Sequence, residues 1–132
     1  MGLFKRKAKA DPEPVFEQSF TQSKSFRGHR RFYVSYYGYK EAEKGLAQLR
    51  RSGSDLRDAK IQLRKILFDD TWAIQVYVND FLVGSVFETS CNEGQLEILN
   101  DLSNGLVNSA HVRIEDDIER EQVYLFLKSE RD

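Results

Sequence analysis

Residues 69–87 read DDTWAIQVYVNDFLVGSVF and decide the fold. On both sides of Asn79-Asp80 the apolar side chains recur at every second position, which is typical of two strands joined by a tight turn. The pattern predicts a β-hairpin with strands Trp72–Val78 and Phe81–Phe87. We therefore expect a core built on a sheet.

The segments around this hairpin predict a mainly β fold with two short helices. Four more segments have strand character: Arg31–Tyr39, Ala59–Phe68, His111–Glu115 and Gln122–Lys128. Two segments have helical spacing, the first over Lys40–Arg51 and the second from an S-x-x-E capping box at Ser90 and Glu93 to Asn104-Gly105. The predicted order is β-α-β-β-β-α-β-β. Strands that dominate in this way favour a small curved or closed β-barrel in the α+β class.

One strand contains a change of phase. In Ala59–Phe68 the residues Ile61 and Leu63 share one parity, whereas Ile66 and Phe68 share the other. A β-bulge near Arg64-Lys65 would turn both pairs toward the same side. Such bulges are common where small barrels bend, so the pattern favours a curved sheet.

The N-terminal segment has a different composition. Residues 1–25 are polar, contain both prolines and show no period, which predicts a mostly disordered basic arm. The folded domain is then expected to span residues 26–132. Val15, Phe16 and Phe20 could still dock on the domain or on a partner.

Charge is divided unevenly along the chain. Residues 1–31 carry a net charge of +5, whereas the remainder carries −6, and no Lys or Arg lies between Lys65 and Arg113. A polyanion would therefore have to contact the first part of the chain.

Composition also limits the cellular setting. Cys91 is the only cysteine, so an intramolecular disulfide and a cysteine-based zinc site are excluded. A single thiol fits a reducing cytoplasm, where we expect the protein. No run of about 18 apolar residues is present, so no membrane span is predicted.

No catalytic motif occurs in the sequence. The only histidines are His29 and His111, and neither a G-x-S-x-G elbow nor a phosphate-binding glycine loop is present. Cys91 lies near a predicted helix start, where a thiol pKa could fall, but a packed structural cysteine is the simpler interpretation. The acidic residues 115–121 lack the spacing of a calcium loop. We expect no enzyme activity, no metal and no cofactor.

Aromatic and basic residues meet in one strand. Arg27, His29, Arg30 and Arg31 lead directly into Phe32, Tyr33, Tyr36, Tyr37 and Tyr39. Aromatic rings stack on unpaired bases while cations follow the phosphates, so this strand is a candidate for single-strand binding. The alternative is that the rings fill the core and the arginines only solubilise the strand. Tyr36 and Tyr37 alternate, so one of them must point outward.

The hairpin and its flanks resemble the HIRAN domain, a small β-barrel found fused to chromatin-remodelling helicases and also alone in bacteria. Asp70–Val76 (DTWAIQV) matches the central Asp-x-x-Ala-Ile-x-Val of that family. Val83-Gly84 matches the following strand, and Gln95–Leu102 matches the helix after it. Tyr36-Tyr37 lies where the family often has its early aromatics.

The resemblance implies binding at the 3′ end of single-stranded DNA. In such domains an early tyrosine and an aromatic before the motif aspartate sandwich a base, and the aspartate reaches the terminal hydroxyl. By this resemblance Tyr36 or Tyr37 would stack and Asp70 would accept the hydrogen bond. Asp69 stands where the family has its second stacking ring.

The sequence therefore predicts a non-catalytic binding module for single-stranded DNA or DNA ends. Its candidate contacts are Arg30, Arg31, Tyr36, Tyr37 and Asp70. The alternative is a protein-interaction or scaffold domain without nucleic-acid activity, which would bind a partner through the N-terminal arm or an exposed sheet edge. A third hypothesis is contact between the basic arm and an anionic membrane surface. The oligomeric state is not predicted.

Overall fold

The computed structural model describes residues 14–53 and 55–131. These residues form strands and helices in the order β-β-α-β-β-β-α-β-β, which is the predicted order preceded by one more strand. The strands are β1 (Phe16–Thr21), β2 (Arg30–Val34), β3 (Lys60–Phe68), β4 (Thr71–Val78), β5 (Phe81–Phe87), β6 (Val107–Glu115) and β7 (Gln122–Ser129). The helices are α1 (Lys40–Arg51) and α2 (Glu93–Ser103), with a 3₁₀ turn at Glu88–Ser90.

The strands form two antiparallel sheets, which confirms the mainly β class with two helices. The first sheet has the order β1-β3-β4-β5, and the second has the order β2-β7-β6. Side chains from both sheets and both helices make one apolar core. Single bridges at Gln22–Ala110 and Ser35–Ser85 link the sheets at their edges. Continuous strand pairing occurs only within each of the two sheets, so the predicted closed barrel is not confirmed.

The hairpin predicted from residues 69–87 is confirmed. Strands β4 and β5 pair from Ala73–Phe87 to Val78–Phe81. Both turn residues have positive φ, 49° at Asn79 and 72° at Asp80, as a type I′ turn requires. Asn and Asp tolerate this left-handed region better than other side chains, so the local sequence specifies the turn.

The first strand lies inside the segment predicted to be a disordered arm. All six residues of β1 pair with β3, from Phe16–Lys65 to Thr21–Lys60, and Phe16 and Phe20 pack against the core. Their apolar contacts offset the entropy of ordering the strand, so the expectation of disorder is wrong for residues 16–21. Gln22 and Ser23 also donate backbone hydrogen bonds to Ala59 and Ala110, so the segment stays attached beyond Thr21. The part of that expectation that falls on residues 1–13, and the proposed membrane contact of the basic arm, lie outside the described residues.

The bulge predicted near Arg64-Lys65 is absent. The pairing of β3 with β4 continues without interruption from Ile61 to Phe68. Ile66 is buried on the opposite side from Ile61, in the region where α1 covers the outer face of the first sheet. Apolar residues on both faces of the strand therefore explain the change of phase. The register shift of this sheet occurs between β4 and β5, at Val76/Tyr77.

Helix α1 has the predicted bounds and lies very close to β5. A Cβ atom on Gly45 would be 1.8 Å from the carbonyl oxygen of Leu82, so only glycine permits this approach. Helix α2 begins with a capping box formed by Asn92 and Gln95, with hydrogen bonds of 2.8 and 2.9 Å. The predicted box at Ser90 and Glu93 is wrong, because Ser90 belongs to the preceding 3₁₀ turn. Neither helix has the length and hydropathy needed to span a bilayer.

Candidate nucleic-acid interface

The outward side of the second sheet carries a group of rings and cations, which we call the aromatic face. Alternation in β2, β7 and β6 sends Phe32, Leu125 and Val112 into the core and their neighbours outward. Strand register then places the outward side chains next to one another. The aromatic face consists of Phe26, Arg31, Tyr33, His111, Arg113, Tyr124 and Phe126.

Two tyrosines and an arginine form the centre of this face. Tyr33 and Tyr124 are direct cross-strand partners, and their ring centroids are 6.3 Å apart with an interplanar angle of 70°. The Arg31 guanidinium carbon lies 5.0 Å from the centre of the Tyr124 ring, within cation–π distance. Tyr33 is 47% exposed. Ring surface beside a cation is therefore open to solvent.

A second ring group lies two residues further along β7. Phe26 packs on Phe126 and His111, with centroid distances of 4.6 and 5.1 Å, and it remains 37% exposed. The Arg113 guanidinium carbon is 5.0 Å from the Phe26 ring centre. His111 Nδ1 donates a 2.6 Å hydrogen bond to the Ser23 carbonyl, which fixes the segment before Phe26 against β6.

Several cations near these rings have no ion-pair partner, although Asp55 and Asp58 line the cleft beside His111 and Arg113. Arg113 pairs with Glu115 at 2.9 Å, but Lys24, Arg27, Arg31 and Lys128 form no ion pair with any described residue. Three of these four unpaired cations come from the basic first part of the chain. The face can therefore attract a polyanion without first breaking salt bridges.

Arg30 and Arg31, both predicted from the sequence, diverge in the structure. Arg31 lies on the aromatic face, whereas the Arg30 guanidinium lies against the first turn of α2, where a Cβ on Gly94 would be 3.0 Å from its Nη1 atom. Adjacent residues of a strand point to opposite faces, so β2 separates the two arginines. Gln95 Nε2 also donates to the Arg31 carbonyl at 2.9 Å, which holds α2 against this edge.

The two candidate tyrosines also diverge, but the predicted strand Arg31–Tyr39 is wrong beyond Val34, and Tyr37 lies in the turn closed by the Tyr39 amide on the Tyr36 carbonyl. Tyr36 is only 6% exposed, and its hydroxyl donates a 2.6 Å hydrogen bond to the Glu121 carbonyl. Tyr37 is 60% exposed, and the Arg120 guanidinium carbon lies 4.1 Å from its ring centre. Both contact the loop between β6 and β7, Tyr36 at Glu121 and Tyr37 at Arg120.

Asp70 occupies the turn between β3 and β4. Asp69 and Asp70 have φ angles of 49° and 64°, the left-handed pair of a type I′ turn. In residues 14–53 and 55–131, no hydrogen bond, ion pair or ring contact joins Asp70 to either candidate tyrosine. Direct contacts therefore do not join Asp70 to these tyrosines among the described residues, and the buried Tyr36 ring has little surface left for a base.

A cleft of about 800 Å³ lies between α1 and the outer face of the first sheet. Its aromatic part is a cluster of Tyr39, Phe68 and Phe87, with centroids 5.6 to 6.3 Å apart. Tyr39 and Phe68 each lie two residues from a predicted site residue, Tyr37 and Asp70 respectively. The contact between their rings was not predicted from the sequence. The charged lining is mixed, since it includes Lys40 and Lys44 but also Glu41 and Asp80.

Cys91 has no sign of an activated thiol. It is partly buried, its Sγ lies 3.5 Å from the Phe87 carbonyl, and burial together with Glu88 raises its pKa. A raised pKa lowers the thiolate fraction at neutral pH, so the interpretation as a packed structural cysteine is favoured.

The sequence missed Phe26 and Tyr124 as site residues. In the alternating pattern of β7, Tyr124 lies on the other face of the strand from the buried Val123 and Leu125, so its outward direction was predictable. Its pairing with Tyr33 was not, because the two strands are far apart in the chain. Comparisons of the chain with protein-family models, curated proteins and solved structures gave no match.

Proposed function

We propose that this protein is a non-catalytic module that binds single-stranded nucleic acid on the aromatic face. The observation that carries the proposal is the exposed Tyr33 ring beside the partly buried Tyr124, over which the Arg31 guanidinium lies without an ion-pair partner among the described residues. Unpaired bases stack on such rings, while cations contact the phosphates, and binding of this kind depends little on sequence. A cytoplasmic location remains the expectation.

The charge distribution supports this face over the first sheet. The aromatic face is bordered by Lys24, Arg27 and Lys128, whereas the turns of the first sheet carry Asp69, Asp70 and Asp80. A phosphate chain is attracted to the former and repelled by the latter. The acidic loop of residues 115–121 lies at the opposite end of β7 from Lys128, so this attraction is confined to the end of the second sheet that carries Arg27 and Lys128.

Fluorescence anisotropy with a labelled oligothymidine tests the proposal. We expect binding at about 50 mM salt that weakens steeply as salt is raised. The double variant Tyr33→Ala/Tyr124→Ala should weaken binding by roughly 10-fold or more, since one base loses its stacking surface. Tyr37→Ala is the matched control, because Tyr37 is an exposed tyrosine beside an arginine on another surface. Absence of binding at about 100 μM protein, or a double variant that binds like wild type, contradicts the proposal.

End binding, which the HIRAN resemblance implies, is the finer form of this function. Its support is the Asp70–Val76 match and the proximity of Tyr39 to Phe68 beside that motif. Strands that end in a 3′-hydroxyl and in a 3′-phosphate distinguish the two modes. If the protein binds ends, the strand with a 3′-phosphate should bind more weakly than the strand with a 3′-hydroxyl, and Asp70→Ala should weaken binding of the latter. If the protein binds along the aromatic face, neither change should alter the affinity.

We also propose that the two sheets join into the small barrel that the HIRAN resemblance implies. The support for this proposal is a contact between the edges of the two sheets. Ser35 and Ser85 exchange two backbone hydrogen bonds of 2.8 and 2.9 Å across the edges of the sheets. Gly84 supports this approach, because a Cβ there would be 2.7 Å from the Ser35 carbonyl oxygen. Slow hydrogen exchange at the Ser35 and Ser85 amides is expected if the sheets remain joined, and fast exchange contradicts it.

A protein-interaction module is the second candidate function. Leu67 and Trp72 are cross-strand partners on one face of the first sheet, and both are exposed next to the point where the N-terminal arm enters. Exposed apolar groups of this kind are common at protein contacts. The test is a pull-down that compares the partners bound by wild-type protein with those bound by two variants. One variant lacks residues 1–13, and the other carries Leu67→Ser and Trp72→Ser. Unchanged binding in both contradicts this candidate. The deletion must end before Pro14, because β1 is part of the sheet.

A further inference from the structure

The aromatic face has two separate places for a base. The first is the Tyr33–Tyr124 pair, and the second is Phe26 where it covers Phe126. Tyr124 and Phe126 are two residues apart on the same side of β7, so the two places are about 6.6 Å apart along the strand. Arg31 is the cross-strand partner of Phe126 and its guanidinium lies over Tyr124, so it lies between the two places.

This spacing differs from that of bases stacked on one another. Successive bases of a stacked strand are separated by about 3.4 Å, roughly half the distance between the two ring groups. Two neighbouring bases can each contact their own ring only after they have separated from each other. The phosphate that joins them would then lie near the Arg31 guanidinium, which has no ion-pair partner among the described residues.

Separation costs less for bases that stack weakly on one another. Purine runs, and oligoadenine in particular, stack strongly, whereas thymine and uracil runs are flexible. Sequence preferences of single-strand binders come from stacking strength and backbone flexibility in this way. We infer that the aromatic face prefers pyrimidine-rich single strands to oligoadenine because it holds two adjacent bases unstacked from each other. This inference rests on the proposed function.

A comparison of oligothymidine and oligoadenine of about eight nucleotides tests the inference, because this length covers both ring groups with nucleotides to spare on each side. We expect oligothymidine to bind about 5-fold tighter or better in anisotropy titrations. Phe26→Ala should weaken oligothymidine binding and bring the ratio of the two affinities toward 1, because one remaining ring group needs no separation of bases. Phe26→Leu keeps an apolar cover over Phe126 without a flat ring and should act in the same direction.

Leu96→Ala is the matched control, because Leu96 is an apolar side chain of similar exposure on α2, outside the surfaces proposed to bind nucleic acid. It should leave both affinities unchanged. Equal affinities for the two strands, with binding still lost in Tyr33→Ala/Tyr124→Ala, would overturn the inference and leave the proposed function standing. An unchanged ratio in folded Phe26→Ala and Phe26→Leu would also overturn it. Failure of both strands to bind wild-type protein overturns the proposed function itself.

Discussion

The hydroxyl of Tyr36 donates a 2.6 Å hydrogen bond to the backbone carbonyl of Glu121. This bond joins the segment between β2 and α1 to the loop between β6 and β7, and the ion pair of Arg50 with Glu121 joins the same loop to the end of α1. A tyrosine that the sequence offers as a base-stacking residue is therefore a buried structural contact. Its neighbour Tyr37 keeps the exposed ring.

Tyr36 should make the protein sensitive to alkaline pH. Burial, followed by the Glu121 carboxylate, raises the pKa of the Tyr36 phenol above its usual value of 10.0. A raised folded pKa means that this contribution to stability is complete below the unfolded pKa and is lost as pH rises through the folded one. Tyr36→Phe should cost about 1 kcal/mol at neutral pH and should reduce the loss of stability above pH of about 10.

Urea unfolding between neutral pH and pH of about 11 measures this effect. Tyr37→Phe is the control, since that hydroxyl is exposed, and it should leave the curve unchanged. A Tyr36→Phe variant whose stability falls as steeply at high pH as that of wild type would contradict the role given to this phenol.

Arg31 should contribute to the salt dependence of nucleic-acid binding. Its guanidinium is unpaired on the aromatic face, so a phosphate contact there would release about one counterion. Arg31→Ala should weaken binding at low salt and lower the slope of log affinity against log salt by about 1. Arg51→Ala removes an exposed arginine at the end of α1 that forms no ion pair with any described residue, and it should not change the slope. Equal slopes for wild type and Arg31→Ala would argue against a phosphate contact.

Gly45 should resist substitution by alanine despite its place in a helix. Helix propensity alone predicts that Gly45→Ala stabilises by about 1 kcal/mol. The new Cβ would lie 1.8 Å from the Leu82 oxygen, so α1 must move off β5, and we expect a net loss of about 2 to 3 kcal/mol. The denaturant midpoint gives the sign directly. A stabilised variant would mean that the helix does not lie this close to the strand.

The start of α2 should depend on Asn92 and not on Ser90. The Asn92 side chain accepts a hydrogen bond from the Gln95 amide, so Asn92→Ala should cost about 1 kcal/mol. Ser90→Ala should stay within about 0.5 kcal/mol, because its side chain caps no helix. Thermal or denaturant unfolding of the two variants side by side checks this. The opposite ranking would restore the capping box predicted from the sequence.

Several features of this protein were predictable because they depend on neighbouring residues. The hairpin of residues 69–87 follows from two-residue alternation and a turn of residues that tolerate positive φ. The bounds of α1 follow from helical spacing, and the burial of Tyr36 with exposure of Tyr37 is consistent with their adjacent positions. For the hairpin and α1 the deciding contacts lie within the segment concerned, whereas the Tyr36 hydroxyl is bonded to Glu121, 85 positions away.

Other features follow from contacts between distant segments. Phe16 and Phe20 lie in a polar, proline-containing segment whose local pattern predicts disorder, and only pairing with β3 makes it a strand. Ile66 violates the parity of its strand because α1 covers the outer face of that sheet. The local sequence contains no signal for a partner that comes from another part of the chain.

The sequence by itself determined the mainly β class, the central hairpin, the two helices and the concentration of positive charge in the first part of the chain. Tertiary structure alone decided which side chains meet on the aromatic face. It placed Tyr33 beside Tyr124 and Phe26 over Phe126, and it separated Arg30 from Arg31 and Tyr36 from Tyr37. The physical reason is that alternation sets the face on which a side chain lies, whereas strand order and register set its neighbours.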